Sequence, residues 1–137
     1  MKGKYLHSSI IAALLLKALR LRGYHARTEY PVRQGPHQPA VDIYFHAARL
    51  AIAIEIELTL ARIRNDLAKA KALNAGVFLI VLPDARTARA AKSRVVRLRK
   101  AMELEGVTIQ VMHLGTALQW IANNCPVVTA PDHSIAT

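Results

Sequence analysis

Asp42, Glu55 and Glu57 are three carboxylates that the alternation of apolar and polar residues sends to one side of a single hairpin. The stretch 40–58 reads AVDIYFHAARLAIAIEIEL. Its first run sets Val41, Ile43 and Phe45 on one face and Asp42, Tyr44 and His46 on the other. Its second run sets Ile52, Ile54, Ile56 and Leu58 on one face and leaves Glu55 and Glu57 opposite. With Ala48 and Arg49 as the turn, Asp42 lies across from Glu55, and a one-residue slip would turn Asp42 in among the isoleucines. Carboxylates that share a face without cations repel and raise one another's pKa; water relieves that cost on a solvated face, and a bound divalent cation relieves it otherwise. Oxygen-only ligands suit Mg²⁺ or Mn²⁺, and Asp42, Glu55 and the carbonyl of Ile56 are placed to hold one. Beside a basic surface, such an ion can polarise a phosphoryl oxygen, generate hydroxide and stabilise a leaving oxygen, which is what phosphodiester hydrolysis needs.

The rest of the chain is basic. Its 137 residues carry 19 Lys+Arg against 9 Asp+Glu, a formal charge of +10, which implies a polyanionic partner because neutralising phosphates releases counterions. Hydrophobic residues make up 53%, enough for one globular domain over residues 1–124 with a loose tail at 125–137. Cys125 is the single cysteine, so neither a disulfide framework nor a cysteine zinc site is available, and a reducing cytoplasm is expected. The apolar run Ile10–Leu16 falls far short of the roughly 20 residues that cross a bilayer. Lys17, Arg20 and Arg22 follow it with no small-residue cleavage site, so it reads as a core helix.

The elements that must position the carboxylates follow from spacing. Ser8 or Ser9 can cap a first helix with Ile10, Ile11, Leu14, Leu15, Ala18 and Leu19 as its stripe, closed at Gly23. A strand at 24–32 and a Pro-broken loop at 33–39 precede the hairpin. A second helix is expected from Thr59 or Leu60 to about Asn74, with Leu60, Ile63, Leu67, Ala70 and Leu73 inward. Val77–Leu82 is uniformly apolar, as for a strand buried on both faces. A third helix over about 87–105 buries Ala88, Ala91, Val95, Leu98 and Met102. Between positions 86 and 100 the chain has seven Lys or Arg and no acid, which fits phosphate contact by Arg86, Arg89, Arg94, Arg97 and Lys100. A strand at 108–113 and a short helix at 116–123 complete an α/β mixed sheet flanked by helices.

Asp42, then twelve residues, then Glu55-Ile56-Glu57, set in an αβββαβ order over residues 8–82, resembles the PD-(D/E)XK nuclease superfamily. The resemblance implies a restriction-endonuclease-like core with an added helix and strand. It also implies a metal-dependent DNA endonuclease of resolvase, repair or mobile-element type, with Asp42 and Glu55 as ligands of Mg²⁺ or Mn²⁺. Glu29 on the preceding strand matches a further acidic ligand of some members. Glu57 stands where the superfamily usually has lysine. Some members carry Glu-x-Glu, with the second glutamate as the water-activating base; others move the basic residue to the following helix, where Lys69 could serve, with Arg62 on the same side. A DNA-binding module that keeps the fold without catalysis is the alternative that the missing lysine suggests. DNA is the expected partner, with RNA also open, no membrane, and a homodimer for paired cuts.

Overall fold

The computed structural model describes residues 2–32 and 39–129; residues 33–38 of the loop expected at 33–39, and residues 130–137 of the expected tail, lie outside them. Five strands form one mixed sheet in the order β1 (Arg27–Pro31), β2 (Ala40–Ala47), β3 (Leu50–Ile56), β4 (Val77–Leu82), β5 (Ile109–His113). β2 runs antiparallel to both β1 and β3, and β3, β4 and β5 run parallel. Helices α1 (Lys2–Leu21) and α4 (Leu114–Asn124) cover one face. Helices α2 (Ile63–Leu73) and α3 (Ala85–Ala101) cover the other. All six residues of β4 are buried, which explains its unbroken apolar run: it faces a helix layer on each side.

The hairpin turns through Ala48 and Arg49, both with positive φ (51° and 68°), the backbone of a two-residue turn that matches strand twist. That turn sets Ile43 against Ile54 and Phe45 against Ile52, the register expected from the apolar pattern. Ile43, Phe45, Ile52, Ile54 and Ile56 pack under α1 and α4 with Leu15 and Leu19. Val41 departs from the alternation and joins the opposite cluster with Val32. The regular β2–β3 ladder ends at Ile43, and Glu29, on β1 between the pairs Thr28–Ile43 and Tyr30–Val41, has a left-handed backbone with φ 49°. The strand is irregular on both flanks of Asp42, and strict period-two alternation fails there.

β1 starts at Arg27 and α3 ends at Ala101, both shorter than expected, and three further differences matter more. α1 begins at Lys2, so Ser8 and Ser9 lie inside it and cap nothing; Ile10 and Leu14, expected in its stripe, are exposed, and Ile11, Leu15 and Leu19 make the seam. α2 begins at Ile63, several residues late. The Thr59 hydroxyl accepts from Ala61 N–H (3.4 Å) and Arg94 donates to Leu60 O (3.3 Å), so the segment 58–62 stays a loop. At the tail, Cys125 is buried, Arg22 donates to Cys125 O (2.9 Å), the Tyr24 hydroxyl to Pro126 O (2.6 Å), and Val128 N–H to Arg22 O (2.7 Å). These bonds hold the first residues after α4 against the end of α1.

Candidate functional site

Where the β2–β3 ladder stops, side chains take over its hydrogen bonds. Asp42 N–H donates to Glu55 Oε1 (3.1 Å), and Ile56 N–H donates to Asp42 Oδ2 (2.7 Å). The two carboxylates are thus locked to each other's strands at the end of the hairpin. Asp42 Oδ1 accepts no hydrogen bond from the described residues. Asp42 is half-buried, whereas Glu55 is 2% exposed and Glu57 8%, because α2 lies over the face that carries them.

Helix α2 contributes one cation and one further acid. Lys69 Nζ lies 2.5 Å from Glu55 Oε2 and 2.9 Å from Ala40 O, so a lysine from the helix after β3 stands beside Asp42 and Glu55. Asp66, one turn nearer the helix start, is fully buried. Its carboxylate and those of Glu55 and Glu57 offer oxygens within 4.8 Å of one another, a buried group of three acids that could hold a metal ion. Neither Asp66 oxygen has a donor. Glu57 is close enough that a proton shared between the two carboxyls would make a hydrogen bond, whereas two ionised groups there repel. Burial pushes Asp66 up to about 10, with Glu57 and Glu55 adding to it and Lys69 opposing. Burial likewise raises Glu55 to about 8, reinforced by Asp42 and only partly offset by Lys69.

The site opens to a cleft of about 410 Å³ lined by Asp42, Glu55, Ile56, Glu57, Arg62 and Lys69, with Ser8 of α1 and the loop at 58–61. Two neighbouring clefts meet it along that loop. One, sharing Leu58 and Thr59, is bordered by Asp84, Arg86 and Thr87 at the start of α3; the other, sharing Ala61, by Arg64, Arg94 and Arg97. Of the expected phosphate contacts, Arg62, Arg86, Arg94 and Arg97 therefore surround the site. Arg89 and Lys100 are exposed, one turn along α3 from Arg86 and Arg97, but line none of these clefts, and Glu29 is exposed and lines none either. Arg94 also holds the loop through Leu60 O.

Tyr44 stacks on Tyr30 with ring centroids 3.9 Å apart, and His46 meets the edge of Tyr44; both stay outside the cleft. Arg64 and Asp66 are the residues that sequence spacing passed over. Asp66 carried a signal, since it sits three after Ile63 and four before Ala70, on the face of α2 that is otherwise apolar.

Among the described residues, no helix is long and apolar enough to cross a membrane. No family model matches the chain, and no curated protein matches it.

Proposed function

We propose that this chain is a divalent-metal-dependent endonuclease of the PD-(D/E)XK type, acting on DNA in the cleft beside Asp42. The observation that carries the reading is Lys69 reaching Glu55 from α2, 2.5 Å away, next to Asp42 in an open cleft. It offers a positive group to the site although Glu57 occupies the position after Ile56 where the superfamily usually has lysine. The donor set fits a hard cation: Asp42 and Glu55 are oxygen ligands at the cleft, and they would hold Mg²⁺ or Mn²⁺ with Ile56 beside them. When bound, the ion supplies Lewis acidity toward a phosphoryl oxygen and lowers the pKa of water. Lys69 has three donors, two of them engaged by Glu55 and Ala40, so one remains to orient water or a phosphate oxygen. Glu57, slightly exposed at the cleft, can accept a proton from that water. Arg62 at the rim offers a guanidinium to a flanking phosphate.

Incubation with branched, nicked and linear DNA, and with RNA, in Mg²⁺ or Mn²⁺ tests the reading. Asp42→Ala should slow cleavage at least about a hundredfold, ~3 kcal/mol of transition-state stabilisation. If no substrate is cut, or if the variant cuts as fast as the parent, the enzyme reading is wrong. Tight DNA binding without cleavage would leave the non-catalytic DNA-binding module instead.

The division of α3 yields a second expectation. Arg86→Ala and Arg97→Ala should each weaken DNA binding regardless of sequence and reduce the salt dependence by about one counterion, while Arg89→Ala and Lys100→Ala change it less. Fluorescence anisotropy across a salt series measures this. Equal effects at all four positions would mean that nucleic acid does not follow the clefts.

A further inference from the structure

We propose that Glu55, Glu57 and Asp66 form a divalent-cation site of their own, set into the wall behind the cleft and distinct from the Asp42–Glu55 pair. The three carboxylates converge within 4.8 Å. Convergence alone would carry little, because acids cluster without ions. What distinguishes this group is Asp66, wholly buried with neither carboxylate oxygen receiving a hydrogen bond. A buried carboxylate without a donor is costly, and protein groups relieve its neighbours but not it. Glu55 has both oxygens engaged, Oε1 by Asp42 N–H and Oε2 by Lys69. Lys69 spends two of its three donors on Glu55 and Ala40, and none reaches Asp66.

A cation on the Glu57–Asp66 side would take the place of the proton that otherwise neutralises this pair. The donors are all carboxylate oxygen, which selects a hard ion such as Mg²⁺ or Mn²⁺ over zinc or copper. Glu57 lines the cleft and is slightly exposed, so an ion enters past it and reaches Asp66 behind. The site does not depend on the nuclease reading, although the two share Glu55; an inactive protein would still bind this ion.

The test uses the full chain, stripped with chelator and titrated with Mn²⁺ while the signal of free Mn²⁺ is followed by electron paramagnetic resonance. The parent should take up Mn²⁺. Asp66→Asn and Glu57→Gln should each weaken one bound ion roughly tenfold or more, and Asp42→Asn should leave that ion in place. Three results overturn the site: no Mn²⁺ taken up by the parent, uptake unchanged in both Asp66→Asn and Glu57→Gln, or uptake abolished by Asp42→Asn. Should Asp66→Asn fail to fold, Glu57→Gln at the cleft decides alone. Failure here leaves the cleavage assay untouched, and failure there leaves this titration untouched.

Discussion

Lys69→Met should destabilise the protein by about 3 kcal/mol at pH 9 but only about 1 kcal/mol at pH 5, because what it strands is a buried carboxylate. Methionine keeps the unbranched stem and removes only the ammonium. The Lys69 side chain is 13% exposed and that of Glu55 3%, so water cannot replace the lost contact. At pH 9 Glu55, raised to about 8 in the parent, is mostly ionised, and the variant must either bury an unpaired charge or bind a proton from a solution poor in them. At pH 5 it is already neutral, and the loss reduces to the hydrogen bonds to Glu55 and Ala40. Glu55→Gln in the Lys69→Met background should recover most of the alkaline penalty, as expected for a coupled pair. Urea unfolding in chelator at the two pH values measures it. A penalty independent of pH, or a double variant no better than Lys69→Met alone, would show that the ion pair is not what Lys69 contributes. If the proposed nuclease activity exists, the same variant loses it.

The hairpin was legible because two independent constraints agree on it: the isoleucine alternation chooses a face, and the Ala48–Arg49 turn chooses the pairing. β4 was legible for a similar reason, since nothing but burial on both faces explains six apolar residues in a row. Alternation could say that Glu55 and Glu57 share a face, but not whether water or a helix covers it. That depends on where α2 docks, a contact between segments distant in sequence. Asp66 had a signal in its spacing from Ile63 and Ala70, but the same gap hid what lies over it. On a helical projection it lies between Arg62 and Lys69 and resembles a solvated position until Ile63, Leu67 and Ala70 are seen to press the same side against the sheet. Val41 escaped because Asp42 spends its backbone and carboxylate on Glu55 and Ile56, a local exchange of side-chain for ladder bonds that no periodicity encodes. The serines failed as cap signals because capping preference matters only where a helix begins, and α1 already runs through them.

In chelator, the parent should lose stability as pH rises from 5 to 8, the reverse of what most acidic residues produce. Asp66 is raised from 3.8 to about 10 and Glu55 from 4.5 to about 8. Well below 3.8 both are protonated, folded or unfolded, and their contribution is fully present. Above it the unfolded chain releases protons that the folded chain retains, so each raised carboxyl subtracts up to about 1.4 kcal/mol per pH unit until its folded pKa is passed. For Glu55 that window closes near 8, and for Asp66 it runs on toward 10. Asp66→Asn removes the longer of the two windows while keeping shape, and its amide can donate to Glu57 at any pH, as the Asp66 carboxyl can only while protonated. The variant should therefore match or trail the parent at pH 4 and exceed it by about 2 kcal/mol or more at pH 8, a crossover that a simple packing defect cannot give. Saturating Mn²⁺ should then raise the parent at pH 8, by about 2.7 kcal/mol per ion at a hundred times the dissociation constant, and raise Asp66→Asn by less, through an ion at Asp42 and Glu55 alone. Parallel pH profiles for the two proteins in chelator would mean that Asp66 carries no buried protonation cost. In that case the wall of the cleft is held by ordinary packing, and no cation is needed to neutralise it.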